Sequence, residues 1–153
     1  MGGFALLDHT ADIGISACGE TLEDALSWLA IGMFSLIIDP DAVAASHSRV
    51  VSVVSRNREA LAVDWLNELL YQYEATGFLM KDCQVSLGKG DRDQGSAEQG
   101  NGEQDNARLE ALCHGDQVDL ARHQILTVVK AATYHRLSVS QGRMWQVSVI
   151  LDV

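Results

Sequence analysis

Between residues 22 and 37 the apolar side chains Leu22, Ala25, Leu26, Leu29, Ala30, Met33, Phe34 and Ile37 recur at i, i+3, i+4 and i+7. This is the spacing of one face of an α-helix. A stripe this broad must be covered by another apolar surface, so the helix has to pack into a core. Thr21 is placed to cap its start, with Glu23 and Asp24 in the first turn where the helix dipole favours carboxylates, and Asp39-Pro40-Asp41 stops it. A second helix is predicted over about 58–75, capped by Asn57 and closed by Gly77, with Ala62, Trp65, Leu66, Leu69, Leu70 and Tyr73 as its core stripe. Its remaining arc carries Asp64, Asn67, Glu68, Tyr71 and Gln72. Asp64 and Glu68, one turn apart, could share a cation or simply form a solvated face. Both apolar stripes read as packing, not as a cofactor box.

The rest of the chain is rich in strand signals. Runs at 4–7, 13–18, 50–54, 78–87, 108–113, 125–129, 134–140 and 144–151 are β-branched or alternate in polarity, and Gln141-Gly142-Arg143 reads as a tight turn between the last two. The order of strands, helix, strand, helix and strands favours an α+β fold over a doubly wound parallel sheet. The expected architecture is one two-layer domain spanning residues 1–153, a mixed, mostly antiparallel sheet with two main helices packed on one face. With 153 residues, 47% of them hydrophobic, the chain can bury a real core. One stretch stands apart. Residues 88–107 contain five Gly, five acidic residues and no Val, Ile, Leu or aromatic. Such a segment buries too little apolar surface to offset its ordering entropy, so it is expected to be a mobile, exposed loop within the domain, an over-long hairpin connection.

Charge and motif content narrow the function classes. A net charge of −10 with 11 Lys and Arg argues against direct nonspecific binding to nucleic acid, so any RNA is expected to be reached only through a protein partner. No window approaches the length of apolar chain that a membrane span needs, and Met1-Gly2-Gly3-Phe4 does not begin a signal peptide. No membrane partner is therefore expected. Cys18, Cys83 and Cys113 are an odd number, far apart and without C-x-x-C spacing, which argues against a disulfide framework or thiolate zinc site and fits a cytoplasmic protein with buried free thiols. There is no G-x-S-x-G elbow, P-loop, H-E-x-x-H helix or dinucleotide fingerprint.

Three pieces carry the candidate chemistry. Asp8-His9-Thr10-Ala11-Asp12 precedes a strand; the last strand delivers Asp152 and the terminal carboxylate of Val153; and Val129 to His135 supplies Lys130 and a second imidazole. We expect the three to meet. Alternation puts Asp12 on the Gly14 and Ser16 face of its strand and Asp152 on the Gln146, Ser148 and Ile150 face of the other, both away from the apolar side. Two carboxylates brought together repel unless a cation or proton separates them. Oxygen ligands from Asp12, Asp152 and a nearby carbonyl or the chain terminus suit calcium, magnesium or manganese better than zinc. Alternatively, His9 or His135 could act as general base beside a metal-bound water, in a small metal-dependent hydrolase. His47, His114 and His123 are given no role.

Asp8-His9-Thr10-Ala11-Asp12-Ile13, Trp65-Leu66-Asn67-Glu68-Leu69-Leu70-Tyr71, Lys130-Ala131-Ala132-Thr133-Tyr134-His135 and Asp152-Val153, taken in order along the chain, resemble the archease family. That resemblance implies an accessory protein, not an enzyme, for the RtcB-type RNA ligase of tRNA splicing or RNA repair. The ligase uses GTP and a divalent metal, and the family is associated with promoting its guanylylation and turnover. By similarity Asp12, Asp152 and the main-chain oxygen of Val153 would bind a divalent cation, calcium first and magnesium or manganese as alternatives. Lys130 would be functionally required beside them. Separately from the resemblance, His9, His135 and Glu68 are candidate outer supports of the site. A chaperone-like binding module remains a further alternative. The 88–107 loop is longer and more polar than the family's hairpin leads one to expect.

Overall fold

The computed structural model describes residues 2–8, 12–89 and 106–153. Strands β1 (Gly3–Asp8) and β2 (Asp12–Gly19) lead into helix α1 (Leu22–Ile37). A 3-10 turn (Pro40–Ala42) and β3 (His47–Ser55) follow, then α2 (Arg58–Thr76), β4 (Phe78–Lys89), β5 (Ala107–Gln117), β6 (Ala131–Gln141) and β7 (Trp145–Asp152).

The helices form where capping and periodicity place them. Thr21 Oγ1 accepts the Asp24 N–H at 3.0 Å, Asn57 Oδ1 accepts the Ala60 N–H at 2.7 Å, and Gly77 ends α2 in the left-handed region at φ 78° while donating to Tyr73 O. All eight apolar stripe positions of α1 are buried, and Gly32 joins them where a Cβ would run into the Phe4 ring. In α2 the burial is wider than the predicted stripe and takes in Ala60, Leu61 and Val63.

The α+β class and the antiparallel pairing stand as expected. The layout is corrected in one respect: the strands form two sheets instead of one, ordered β1-β2-β7-β6 and β3-β5-β4, and every pairing is antiparallel. Helix α1 touches β1, β2 and β7 of the first sheet and β4 of the second, while α2 touches β6 and β7 of the first and β3, β4 and β5 of the second. The helices are therefore not confined to one face of one sheet. Their broad burial supplies apolar surface to both sheets, and one core cluster joins residues of both helices and both sheets. Trp65 lies fully buried at its centre, its indole N–H donating to Leu26 O of α1 at 3.0 Å.

Two boundaries differ from expectation. Residues 125–129 are not a strand. They alternate in burial, with Leu126 and Val128 exposed and Val129 buried, but no strand among the described residues pairs with them; the Leu126 N–H instead meets Ile37 O at the end of α1. Extended residues without a neighbour make no ladder. The 88–107 segment does connect a hairpin, and the hairpin reaches further than predicted, pairing Gly88 with Arg108 and Lys89 with Ala107. Residues 90–105 of that loop lie outside the described residues.

Beyond β5, Asp116 and His123 are both buried, although the sequence around them reads as polar and irregular. Asp116 accepts N–H groups from Ala44 and Gln117, and His123 Nδ1 accepts the Asp119 N–H, leaving Nε2 3.4 Å from Asp116 Oδ2. Burial alone would raise the Asp116 carboxyl, but the Ala44 and Gln117 N–H groups and the Arg122 guanidinium hold it below the usual carboxylate range. No helix among the described residues is long and apolar enough to cross a membrane.

Candidate functional site

In the first sheet β7 lies between β2 and β6, and this order assembles the site. Asp12 stands directly opposite Asp152, and Ala131 faces Asp152 from the other side. Directly opposed residues of antiparallel strands share a face, with Cβ atoms about 4.5–5.5 Å apart. That face is polar further along: Ser148 Oγ and Gln146 Nε2 both donate to Ser16 Oγ, at 3.1 and 2.9 Å. The opposite face of the same strands carries Ile15, Ala17, Val147, Val149 and Leu151, all buried. Alternating polarity thus drives the apolar sides inward and leaves Asp12 and Asp152 outward at the strand ends. Asp152 is exposed, and Asp12 and Val153 are partly so.

Lys130 comes to the same corner through its backbone, donating its N–H to Asp152 O at 2.8 Å, and its residue is exposed. The next residues are gripped from α2. Asn67 Nδ2 donates to Ala132 O at 3.1 Å, and the Ala132 N–H donates to Asn67 Oδ1 at 2.8 Å. A side-chain amide here does what a neighbouring strand would do, satisfying both outward-facing backbone groups at the edge of the sheet. Sequence reasoning left Asn67 on the polar arc of α2 with no role of its own; its amide beside the core positions Trp65 and Leu66 was a signal that could have found it. Replacing Asn67 by Ala should orphan both Ala132 groups and cost about 1–3 kcal/mol. Faster hydrogen exchange at the Ala132 amide would accompany this, and Asn67→Asp, which keeps the acceptor, should lose less.

The other expected supports are placed differently. His9 lies outside the described residues. His135 is exposed on β6, in the irregular stretch between Thr133 and Ser138 where the pairing with β7 shifts and Arg136 takes a φ of 54°. Glu68 accepts from Gln72 Nε2 at 2.8 Å and lines a cleft of about 400 Å³ with Asp64, Asn67, Ser52, Val53 and Val54. Its neighbour Asp64 accepts the hydroxyls of Ser55 and Tyr134, at 2.5 and 3.0 Å. The Asp64 and Glu68 carboxylates are thus both engaged by protein donors. The structure brings Asp12, Asp152 and Lys130 together; Glu68 belongs to the α2 and β3 cleft.

The donor chemistry at the corner fits a hard divalent cation. Asp12 and Asp152 stand opposite one another in register and offer oxygen only, as would the main-chain oxygen of Val153; among the described residues no group of three or more His, Cys, Asp or Glu is placed to hold a metal.

Fold and corner together define a class: a small α+β protein whose charged residues gather at paired strand ends of one sheet, around two helices shared with another. The model of the Archease protein family (MTH1598/TM1083) matches residues 4–153. An archease of Methanosarcina mazei is 32% identical over 151 residues, covering 98% of this chain and 95% of that protein. The archease of Pyrococcus abyssi is 30% identical over 149 residues, covering 95% of each. The solution structure of protein 1598 from Methanobacterium thermoautotrophicum superposes with a TM-score of 0.75 at 27% identity, covering 99% of both chains. A crystal structure of an archease from Thermotoga maritima, described as a possible chaperone, shares the fold at a TM-score of 0.56 and 15% identity, covering 96% of this chain and 94% of that one. The chain belongs to the archease family.

Proposed function

We propose that this protein is an accessory factor of an RtcB-type, GTP-dependent RNA ligase, acting in tRNA splicing or RNA repair in the cytoplasm. It promotes guanylylation of the ligase and its repeated turnover, and catalyses no reaction alone. The observation that carries this reading is the register that sets Asp12 directly opposite Asp152, beside the backbone of Lys130.

Asp12, Asp152 and the main-chain oxygen of Val153 would hold a divalent cation, calcium in the first instance, with magnesium or manganese as alternatives. Such an ion, when bound, supplies positive charge and Lewis acidity to a phosphate oxygen or to the partner's own metal site. The chain's residues do the positioning. Asp12 and Asp152 gather negative charge at an exposed corner, and the bond from Lys130 N–H to Asp152 O fixes the lysine's backbone next to it. The Lys130 ammonium adds a compact cation suited to triphosphate oxygens. RNA is met only through the ligase.

The deciding experiment is single-turnover guanylylation of the cognate ligase with GTP and a divalent metal, with and without this protein. Wild type should accelerate the step, and Asp152→Ala should forfeit at least about tenfold of that acceleration, equivalent to about 1.4 kcal/mol of transition-state stabilisation. Equal acceleration by a folded Asp152→Ala protein would sink the site assignment. Turnover of a substrate by the isolated protein would favour the hydrolase reading with His9 or His135 as base. A chaperone-like reading draws on the exposed Val50, Val54 and Leu112 of the second sheet, and predicts holdase activity indifferent to Asp12 and Asp152.

A further inference from the structure

The second sheet joins two cysteines that stand far apart in the sequence. Cys83 of β4 is the register partner of Cys113 of β5, and both are free thiols, Cys113 fully buried and Cys83 partly accessible. Directly opposed residues place their Cβ atoms about 4.5–5.5 Å apart, and a disulfide needs about 3.5–4.5 Å, so a small approach of β4 to β5 suffices. The surroundings are more polar than apolar packing alone selects. On the far side of Cys113 its register partner in β3 is Arg49, whose guanidinium donates to Gln72 and Thr76 and lies over the Phe78 ring. On the near side Ser27 of α1 also acts to lower the Cys83 thiol.

We propose that Cys83 and Cys113 form a reversible dithiol–disulfide site, with Cys83 as the attacking thiolate and Cys113 as the resolving thiol. Accessibility favours this division of labour, because Cys83 is partly accessible and Cys113 is fully buried. In the same direction, the neighbouring Cys113 thiol holds Cys83 below its usual range against the effect of burial, while the Cys83 neighbour and burial push Cys113 up. The oxidant is a low-molecular-weight disulfide. Cys83 thiolate attacks one of its sulfurs, forming a mixed disulfide and expelling one thiolate, which takes up a proton. Cys113 then loses its proton and attacks Cys83 Sγ, closing the Cys83–Cys113 bond and expelling the second thiol. Two protein thiols are oxidised and one small disulfide is reduced to two thiols. Intracellular disulfides are rare and are usually transient and redox-sensing, which is the behaviour expected of a pair with one accessible sulfur.

The test incubates the whole protein with oxidised glutathione, traps remaining thiols with N-ethylmaleimide and maps the products by peptide mass spectrometry. Expected are a Cys83–Cys113 cross-link with the loss of two hydrogens, reversal by dithiothreitol, and alkylated Cys18. Cys113→Ala should instead accumulate the glutathione adduct on Cys83, with far-UV circular dichroism confirming its fold. A stable glutathione adduct on Cys83 of the wild type, a cross-link through Cys18, or both thiols fully alkylated after oxidation would each overturn the assignment. Mapping the wild-type protein decides the matter even if a variant fails to fold.

Discussion

Replacing Trp65 by Ala should destabilise the protein by about 3–5 kcal/mol, the range for removing a fully buried large aromatic. The indole fills the centre of the core and spans from α2 to the backbone of α1. Its loss opens a cavity beneath helices that both sheets use as their inner wall, so no single layer can collapse to close it. Trp65→Phe keeps most of the packing and forfeits the bond to Leu26 O, which is worth about 1 kcal/mol. Urea denaturation followed by circular dichroism checks both. If the Ala variant unfolds at nearly the wild-type midpoint, the helices are not the shared support inferred from their contacts.

The second large effect concerns the acidic corner. If Asp12 and Asp152 hold a divalent cation, calcium at a hundred times its dissociation constant should stabilise the wild type by about 2.7 kcal/mol over the same protein in chelator. Asp12→Asn should lose that response. In chelator the same variant should be as stable as the wild type or more so, because like charges placed directly opposite one another across strands are destabilising. The two arms therefore move in opposite directions. Thermal melts with chelator and with graded calcium, repeated with magnesium and manganese, give both. An undiminished calcium response in Asp12→Asn would remove this residue from the site.

Much of this was legible in the residues, because local rules governed it. Thr21 and Asn57 cap helices as their side chains dictate, the α1 stripe is buried at every position predicted, and two-residue alternation put Asp12 and Asp152 on the polar face. What escaped was set by long-range pairing. Nothing local says that β7 enters between β2 and β6, or that β3, β4 and β5 close a sheet of their own. Cys83 and Cys113 seemed unrelated because spacing along the chain says nothing of cross-strand register. Asn67 was left on the polar arc of α2 without a role because its receptor, the backbone of Ala132, is 65 residues away. His123 and Asp116 looked like loop polarity, yet they bury together through bonds to backbone groups that composition cannot reveal. The 125–129 run shows the reverse failure, where a local preference for strand found no pairing strand among the described residues.

The interior place of β7 in its sheet bears on how the molecule is made. During synthesis β1 and β2 leave the ribosome well before β7, so the open side of β2 has no mate until β7 has been translated. Until then the nascent hairpin offers an unsatisfied ladder to any passing chain, with the charge of Asp12 at its end as a guard against wrong pairing. A polypeptide cut short before β7 has neither the second carboxylate nor the Asp152 carbonyl that docks Lys130. The corner thus exists only on molecules in which β7 has been threaded between β2 and β6.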